Sequence, residues 1–315
     1  MSENVGLVED PLSALLRHID FSAQVFFRQG YCGNWAVDTS GSTLAPFHLV
    51  AEGHGWLHEP TPDSGSGFEE AQPPKKLLPG QLVFFPRDGA HVLAATETTP
   101  DPALINRPAP ERLEGNVTRL VCGYFRFDQR RAAPLLSSLP DSVVLDMAQA
   151  TQADGRELIN LWMREAAYSG FGSDLAVDRL AEVVFVQLLR QEIDSGRLKG
   201  VMGALGDPML GPVLAKIHRS PGRPHTLPSM AQATGLSESA FTQRFKKHIG
   251  QTPGQYVRFW RMQAAASQLT STSRSILDIA TQVGYDSEVA FRKAFKATMG
   301  IAPGAYRRKD DQMLS

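Results

Sequence analysis

The chain has 315 residues, 42% of them hydrophobic and 21% charged, with a formal net charge of -1. That length suits two domains with sizeable cores. No apolar run approaches the roughly 20 residues of a bilayer span, the acidic start lacks a secretory pattern, and two cysteines do not make a disulfide framework, so a cytoplasmic protein without a membrane partner is expected.

In chain order, Pro11–Leu16 reads as the core of a short amphipathic helix. From Phe21 to about Asp128 the signals are those of strands: Ala23–Arg28, Phe47–Val50, Gly55–His58, Gln81–Pro86, His91–Ala95 and Leu120–Phe127 are short, rich in Val, Phe, Leu and Trp, and separated by Gly and Pro. Two polar, Pro-rich breaks, Pro60–Lys75 and Thr98–Glu114, read as long loops on a barrel. At Asp154 the period becomes helical. Leu175–Ile193 predicts a strongly apolar helix, with Leu180, Val183, Val184, Gln187, Leu188 and Gln191 on one stripe. It serves either as a core helix or as a dimerisation helix. The Gly-bearing stretch Ser195–Asp207 carries the expected boundary between a domain over 1–200 and another over 208–309.

Charge separates these halves. Residues 216–309 hold 15 Lys and Arg against four acidic residues, a net of +11, while residues 1–215 hold 17 against 27, a net of -10. A phosphate-binding footprint is therefore expected at the carboxyl end alone.

One pattern occurs twice there. Phe241, Phe245, Lys246, Gly250, Pro253, Gly254 and Tyr256 match Phe291, Phe295, Lys296, Gly300, Pro303, Gly304 and Tyr306 offset for offset. Ahead of each copy sits an apolar helix, a Gly turn (Gly235, Gly284) and a Ser suited to cap the next helix (Ser237, Ser287). That helix buries Phe241, Phe245 and Ile249, or Phe291, Phe295 and Met299. Its other face is polar or basic. The two units read as tandem helix-turn-helix motifs, joined by a helix over Pro253–Leu269, with recognition helices fitted to successive major grooves of double-stranded DNA.

This constellation resembles the AraC/XylS family of bacterial transcription regulators over residues 208–308. The resemblance implies that Ser239, Thr242 and Gln243, then Glu288, Val289, Arg292 and Lys293, read bases, with Gln243 and Arg292 foremost. Arg244, Lys246, Lys247 and Lys296, along with Arg258, Arg307 and Arg308, would position on phosphates. Activator or repressor action stays open, with RNA polymerase a candidate partner and a homodimer expected.

Upstream, Pro79-Gly80 through Gly89 and His91, with Phe47-His48 through Gly53-His54-Gly55, resemble the two half-motifs of a cupin barrel, the sensor found ahead of this DNA-binding domain in one branch of the family. The expected fold is thus α+β: a cupin-like barrel with flanking helices, then an all-α tandem helix-turn-helix domain. Two readings of the histidines stay open: His48 and His91 hold a divalent metal, or each is satisfied by local hydrogen bonds. Two also stay open for Cys32 and Cys122. They are small buried hydrophobes, or, as in the reactive-chlorine-responsive branch that their placement resembles, they sense an oxidant, as a switchable pair or by sharing a metal with the histidines. The expected function is a regulator, not an enzyme, tuned by a small-molecule effector or oxidant. The competing reading is a metal-dependent cupin enzyme fused to a DNA-binding domain.

Overall fold

The computed structural model describes residues 10–19, 21–60, 72–109, 112–147 and 153–313. Most of the expected Pro60–Lys75 loop lies outside them. The described residues cluster into two units. One comprises Phe21–Phe127 with Leu139–Ser195; the other comprises the described parts of Met1–Asp20, Asp128–Ser138 and Gly196–Ser315.

The first unit is built on antiparallel strands. β1 (Phe21–Cys32), β3 (Ala45–Glu52), β6 (Gln81–Phe84), β8 (Val117–Phe127) and β9 (Val143–Asp146) form a five-stranded sheet in the order β1-β8-β3-β6-β9. β2 (Ala36–Val37), β4 (Gly55–His58), β5 (Lys75–Leu77) and β7 (Val92–Ala94) form a four-stranded sheet in the order β2-β7-β4-β5. The two sheets share one core. Val50, Val83, Leu120 and Cys122 of the first meet Val37, Leu57, Leu77 and Leu93 of the second, the arrangement of a small barrel.

The outer face of the five-stranded sheet is also covered. Helices α3 (Ala153–Ala167) and α4 (Ser173–Asp194) lie on it, with Trp162 against Phe47 and Phe185 against Phe84 and Phe125. Burial on both faces explains why Ala45–Val50 is buried without alternation. Gly123 follows from this packing: a Cβ there would lie 2.4 Å from Cζ of Phe47 and 2.6 Å from the carbonyl of Gln24.

The stripe expected on α4 is rotated. Val177, Ala181, Val184, Phe185, Leu188 and Leu189 are buried, while Leu175 and Val183 are exposed. The aromatic packing of Phe185 under the sheet decides the face. Along α4, three carboxylates one turn apart meet the outer edge of β1. Asp178 accepts from the Val25 amide at 2.8 Å, Glu182 from the Ala23 amide at 3.4 Å, and Asp174 pairs with the Arg28 side chain.

The second unit is helical. It contains α1 (Pro11–Ile19), α2 (Gln129–Leu136), α5 (Gly200–Leu205), α6 (Leu210–Arg219), α7 (Leu227–Thr234), α8 (Glu238–Ile249), α9 (Pro253–Ser271), α10 (Ile276–Gln282), α11 (Glu288–Met299) and α12 (Pro303–Met313). The short helix expected at the amino end forms and packs against α6. The stretch Ser195–Asp207 is not all linker, since α5 lies within it. No described helix is long and apolar enough to cross a membrane.

Candidate nucleic-acid interface and buried relay

The two helix-turn-helix units close their first helices by the same backbone bonds, although the second turn is one residue longer (Gly284 to Ser287 against Gly235 to Ser237). Gly235 (φ 68°) and Gly284 (φ 81°) are left-handed. After α7 the amides of Gly235 and Leu236 reach the carbonyls of Gln232 and Ala231. After α10 the amides of Gly284 and Tyr285 reach those of Thr281 and Ala280. Each pair closes a helix by the same 5→2 and 6→1 bonds. Ser237 then accepts from the Ala240 amide and Ser287 from the Ala290 amide, capping α8 and α11. Phe241, Phe245, Phe291 and Phe295 are wholly buried, so each helix turns its other side outward.

On α8, Ser239, Gln243, Lys246 and Lys247 are exposed and Thr242 half-buried. On α11, Val289, Arg292, Lys293 and Lys296 are exposed and Glu288 half-buried. Arg292 Nε donates to Glu288 at 2.7 Å, so one of the two residues expected to be foremost in reading bases is held by a neighbour one turn back. Two cations differ from expectation. Arg244 donates to Asp207 at 2.5 Å, and the same carboxylate caps α6 by accepting from the Met209 and Leu210 amides. Those amides and the Arg244 guanidinium hold the Asp207 carboxyl below its ordinary range against the upward pull of its burial. Arg307 donates to the carbonyls of Leu269 and Arg274, tying α12 to the end of α9. Both guanidiniums hold helices together rather than standing free for phosphate.

In the barrel, the register sets His48 directly opposite Cys122. His48 Nδ1 lies 2.9 Å from Cys122 Sγ, and His48 Nε2 lies 3.0 Å from His91 Nε2. Thr39 Oγ1 is 3.1 Å from both Nε2 atoms, and His91 Nδ1 is 2.7 Å from the Gly89 carbonyl. His91 also stacks on Phe85 at 3.7 Å between centroids. The carbonyl of Gly89 can only accept, so Nδ1 of His91 carries its proton and Nε2 is the acceptor of the neutral ring. One neutral assignment then satisfies the chain: the Cys122 thiol donates to His48 Nδ1, and His48 Nε2 donates to His91 Nε2. Burial disfavours charge throughout. It pushes the Cys122 thiol up, His48 well below 6.5 with the help of His91, and His91 down despite the Gly89 bond. Burial therefore favours the thiol over the thiolate at Cys122, despite the imidazole beside it.

Cys32 does not join this group. It pairs with Val117 while Cys122 pairs with Phe27, five residues further along β1, roughly 16 Å at the rise of a strand. A disulfide needs Cα atoms within about 7 Å, so the two cysteines are not a pair in this fold. The half-buried Cys32 thiol instead faces the Arg112 carbonyl at 3.9 Å. The metal reading meets a similar limit. Cys122 sits on the far ring nitrogen of His48, so thiol and imidazoles do not converge on one point. Among the described residues no three His, Cys, Asp or Glu side chains could hold an ion. His54 is exposed, and His58 donates to the Thr96 carbonyl. Thr39 carried no motif in the sequence and is found only through the fold.

A family model described as Cupin matches residues 10–194, and one described as Helix-turn-helix domain matches residues 230–309. The chain is similar to a protein of Streptomyces lividans described as an AraC-like transcription regulator, at 28% identity over 96% of this chain and 97% of that one. It is similar to the HTH-type transcriptional regulator MtrA of Neisseria gonorrhoeae, at 29% over 89% and 92%. It is also similar to the RCS-specific HTH-type transcriptional activator RclR of Escherichia coli, at 28% over 85% of each chain.

Proposed function

From the premise that the chain belongs to the AraC family of transcription regulators, with a cupin domain at its amino end, we propose that the Cys122–His48–His91 relay is its sensing site and that the state of the relay sets how α8 and α11 engage DNA. The observation that carries this reading is a linked polar chain inside an apolar core. Such a chain adds little to stability that well-packed hydrophobes would not supply, and a change at one member reaches the others. The protein acts as a regulator rather than an enzyme, in the compartment that holds the chromosome, as a homodimer. Exposed Tyr168, Phe171, Leu175 and Val183 on and beside α4 suit a second copy. RNA polymerase is the partner expected of an activator.

The signal best matched to a buried thiol is a small, strong oxidant. A peroxide or hypochlorous acid transfers oxygen to sulfur: as the S–O bond forms and the O–O or O–Cl bond breaks, His48 takes the thiol proton, which it then returns to the leaving hydroxide to give a sulfenic acid and water, or releases beside a sulfenic acid and chloride. The larger, more polar sulfur no longer donates to Nδ1, and the relay must rearrange. A divalent metal is the second reading, favoured by the near-equilateral grouping of Thr39 Oγ1, His48 Nε2 and His91 Nε2.

The test is DNA binding by the full chain with and without hypochlorous acid, on duplexes that it selects from a random pool. We expect the oxidant to change the affinity of the wild type at least tenfold, Cys32→Ser to respond alike, and Cys122→Ser not to respond. A Cys122→Ser protein that responds like the wild type would remove the relay from sensing. Stoichiometric metal lost together in His48→Ala and His91→Ala would favour the second reading.

A further inference from the structure

The two helix-turn-helix units share α9. Its first half joins the core of the first unit, where Tyr256 meets Phe245. Its second half joins that of the second, where Met262, Ala265 and Leu269 cluster with Phe291 and Phe295. Arg261 lies at the changeover. Its guanidinium donates to three backbone carbonyls: Nε to Pro221 at 3.0 Å, Nη2 to Arg223 at 3.1 Å and Nη1 to Gly284 at 3.0 Å. The first two acceptors lie in the α6–α7 loop, just ahead of Thr226, which caps α7. The third lies in the turn that leads to Ser287, which caps α11. Backbone also meets backbone here. A Cβ on Gly222 would strike the Gln282 carbonyl, and one on Gly284 would strike the Gly222 carbonyl. The loop is stiffened from within, since the Arg223 amide and His225 Nε2 both donate to the Ser220 carbonyl. Arg261 thus ties a preset loop of the first unit to the turn that heads α11.

We infer that Arg261 is a positioning residue for DNA recognition. It locks α8 and α11 at one separation and one rotational phase, so that the protein rejects duplexes whose two contacted segments are spaced otherwise. A single shared helix fixes the distance between the units along its own axis. A second link beside that axis resists rocking and rotation about it, and the loop, Arg261 and the turn supply such a link. Rotation is what base reading cannot absorb, because each added base pair carries the next groove about 35° round the duplex and about 3.4 Å along it. The demand falls on arginine in particular. Its planar fork directs donors to three carbonyls at once, whereas a lysine ammonium is a point donor that cannot span them.

This inference rests on the base-reading role of α8 and α11, and its test is arranged so that the two fail differently. The full chain selects duplexes from a random pool, and guanine methylation maps the two segments that it protects. Affinity is then measured for a selected duplex and for forms with one base pair inserted or removed between those segments. The wild type should lose about thirtyfold on either change, the cost of misplacing contacts to one or two base pairs. Arg261→Gln should lose only about threefold, a tenfold smaller penalty. Gly222→Ala, which keeps the arginine but forces the loop off Gln282, should relax the spacing in the same way. Arg261→Lys keeps the charge without the fork and should resemble Arg261→Gln. In each variant the slope of log affinity against log salt should stay that of the wild type, since no phosphate contact is lost. Should Arg261→Gln fail to fold, Arg261→Lys and Gly222→Ala decide. A folded Arg261 variant that keeps the wild-type spacing penalty overturns the inference. So does a slope reduced by about 0.9 in Arg261→Gln and restored in Arg261→Lys, which would make Arg261 a phosphate ligand. A wild type that selects duplexes but tolerates both spacing changes leaves base reading standing and overturns the lock. A wild type that selects no duplex overturns base reading, and the spacing role with it.

Discussion

Asp207 offers the sharpest test of how the first recognition helix is held. Its carboxylate caps the start of α6 through two amides and grips Arg244 on α8. Asp207→Ala removes the cap, at about 1 kcal/mol. It also removes an ion pair whose side chains are 7% and 39% exposed, which after solvent screening contributes about 1 kcal/mol. The sum, about 2 kcal/mol, lowers the melting temperature of a unit of this size by about 4–8 °C. The assay is thermal unfolding of the full chain, followed through the helical transition, in a cycle with Arg244→Ala. The coupling energy should be about 1 kcal/mol. DNA binding gives the complementary readout: Arg244→Gln should leave the salt slope unchanged, whereas Lys246→Gln should reduce it by about 0.9. The reasoning would be refuted by an unchanged melting temperature in Asp207→Ala together with a slope loss in Arg244→Gln.

Two further predictions concern the barrel. His48 and His91 are held below their ordinary value in the fold, so below about pH 6.5 the unfolded chain binds protons that the folded chain refuses. Stability of the barrel should be level above that pH and fall as the pH drops beneath it, as denaturant unfolding at pH 7 and pH 5.5 would show; a barrel equally stable at both would contradict it. Gly123→Ala should cost about 1–3 kcal/mol, because its Cβ meets the Phe47 ring and the Gln24 carbonyl. Gly89→Ala, with its nearest atom 4.0 Å away, should be near neutral; equal melting of the two variants would refute the packing argument.

The helix-turn-helix units were legible because their determinants are local. A glycine at a left-handed turn, a serine at a cap and phenylalanines one turn apart each act within a few residues, and the duplication states them twice. The cupin half-motifs were legible for the same reason, down to the bounds of β4. What stayed hidden depends on partners distant in the chain. β2, β5 and β9 span two to four residues, too few for alternation to show. The buried stripe of α4 was misplaced because Phe185 docks on Phe84 and Phe125 of the sheet, partners distant in the chain that select the face. Thr39 enters the relay from a loop, and Asp207 meets Arg244 across 37 residues. Cys32 and Cys122 looked alike beside their glycines, and only strand register told them apart.

The three acids along α4 bear on how copies of the chain can meet. An outermost strand with open amides is a template on which another protein can lay a further strand. Here two of those amides on β1 are already answered, and Arg28 is engaged beside them. Lateral growth from that margin is thereby discouraged, leaving self-association to side-chain surfaces, where a pair can form without opening the way to a polymer.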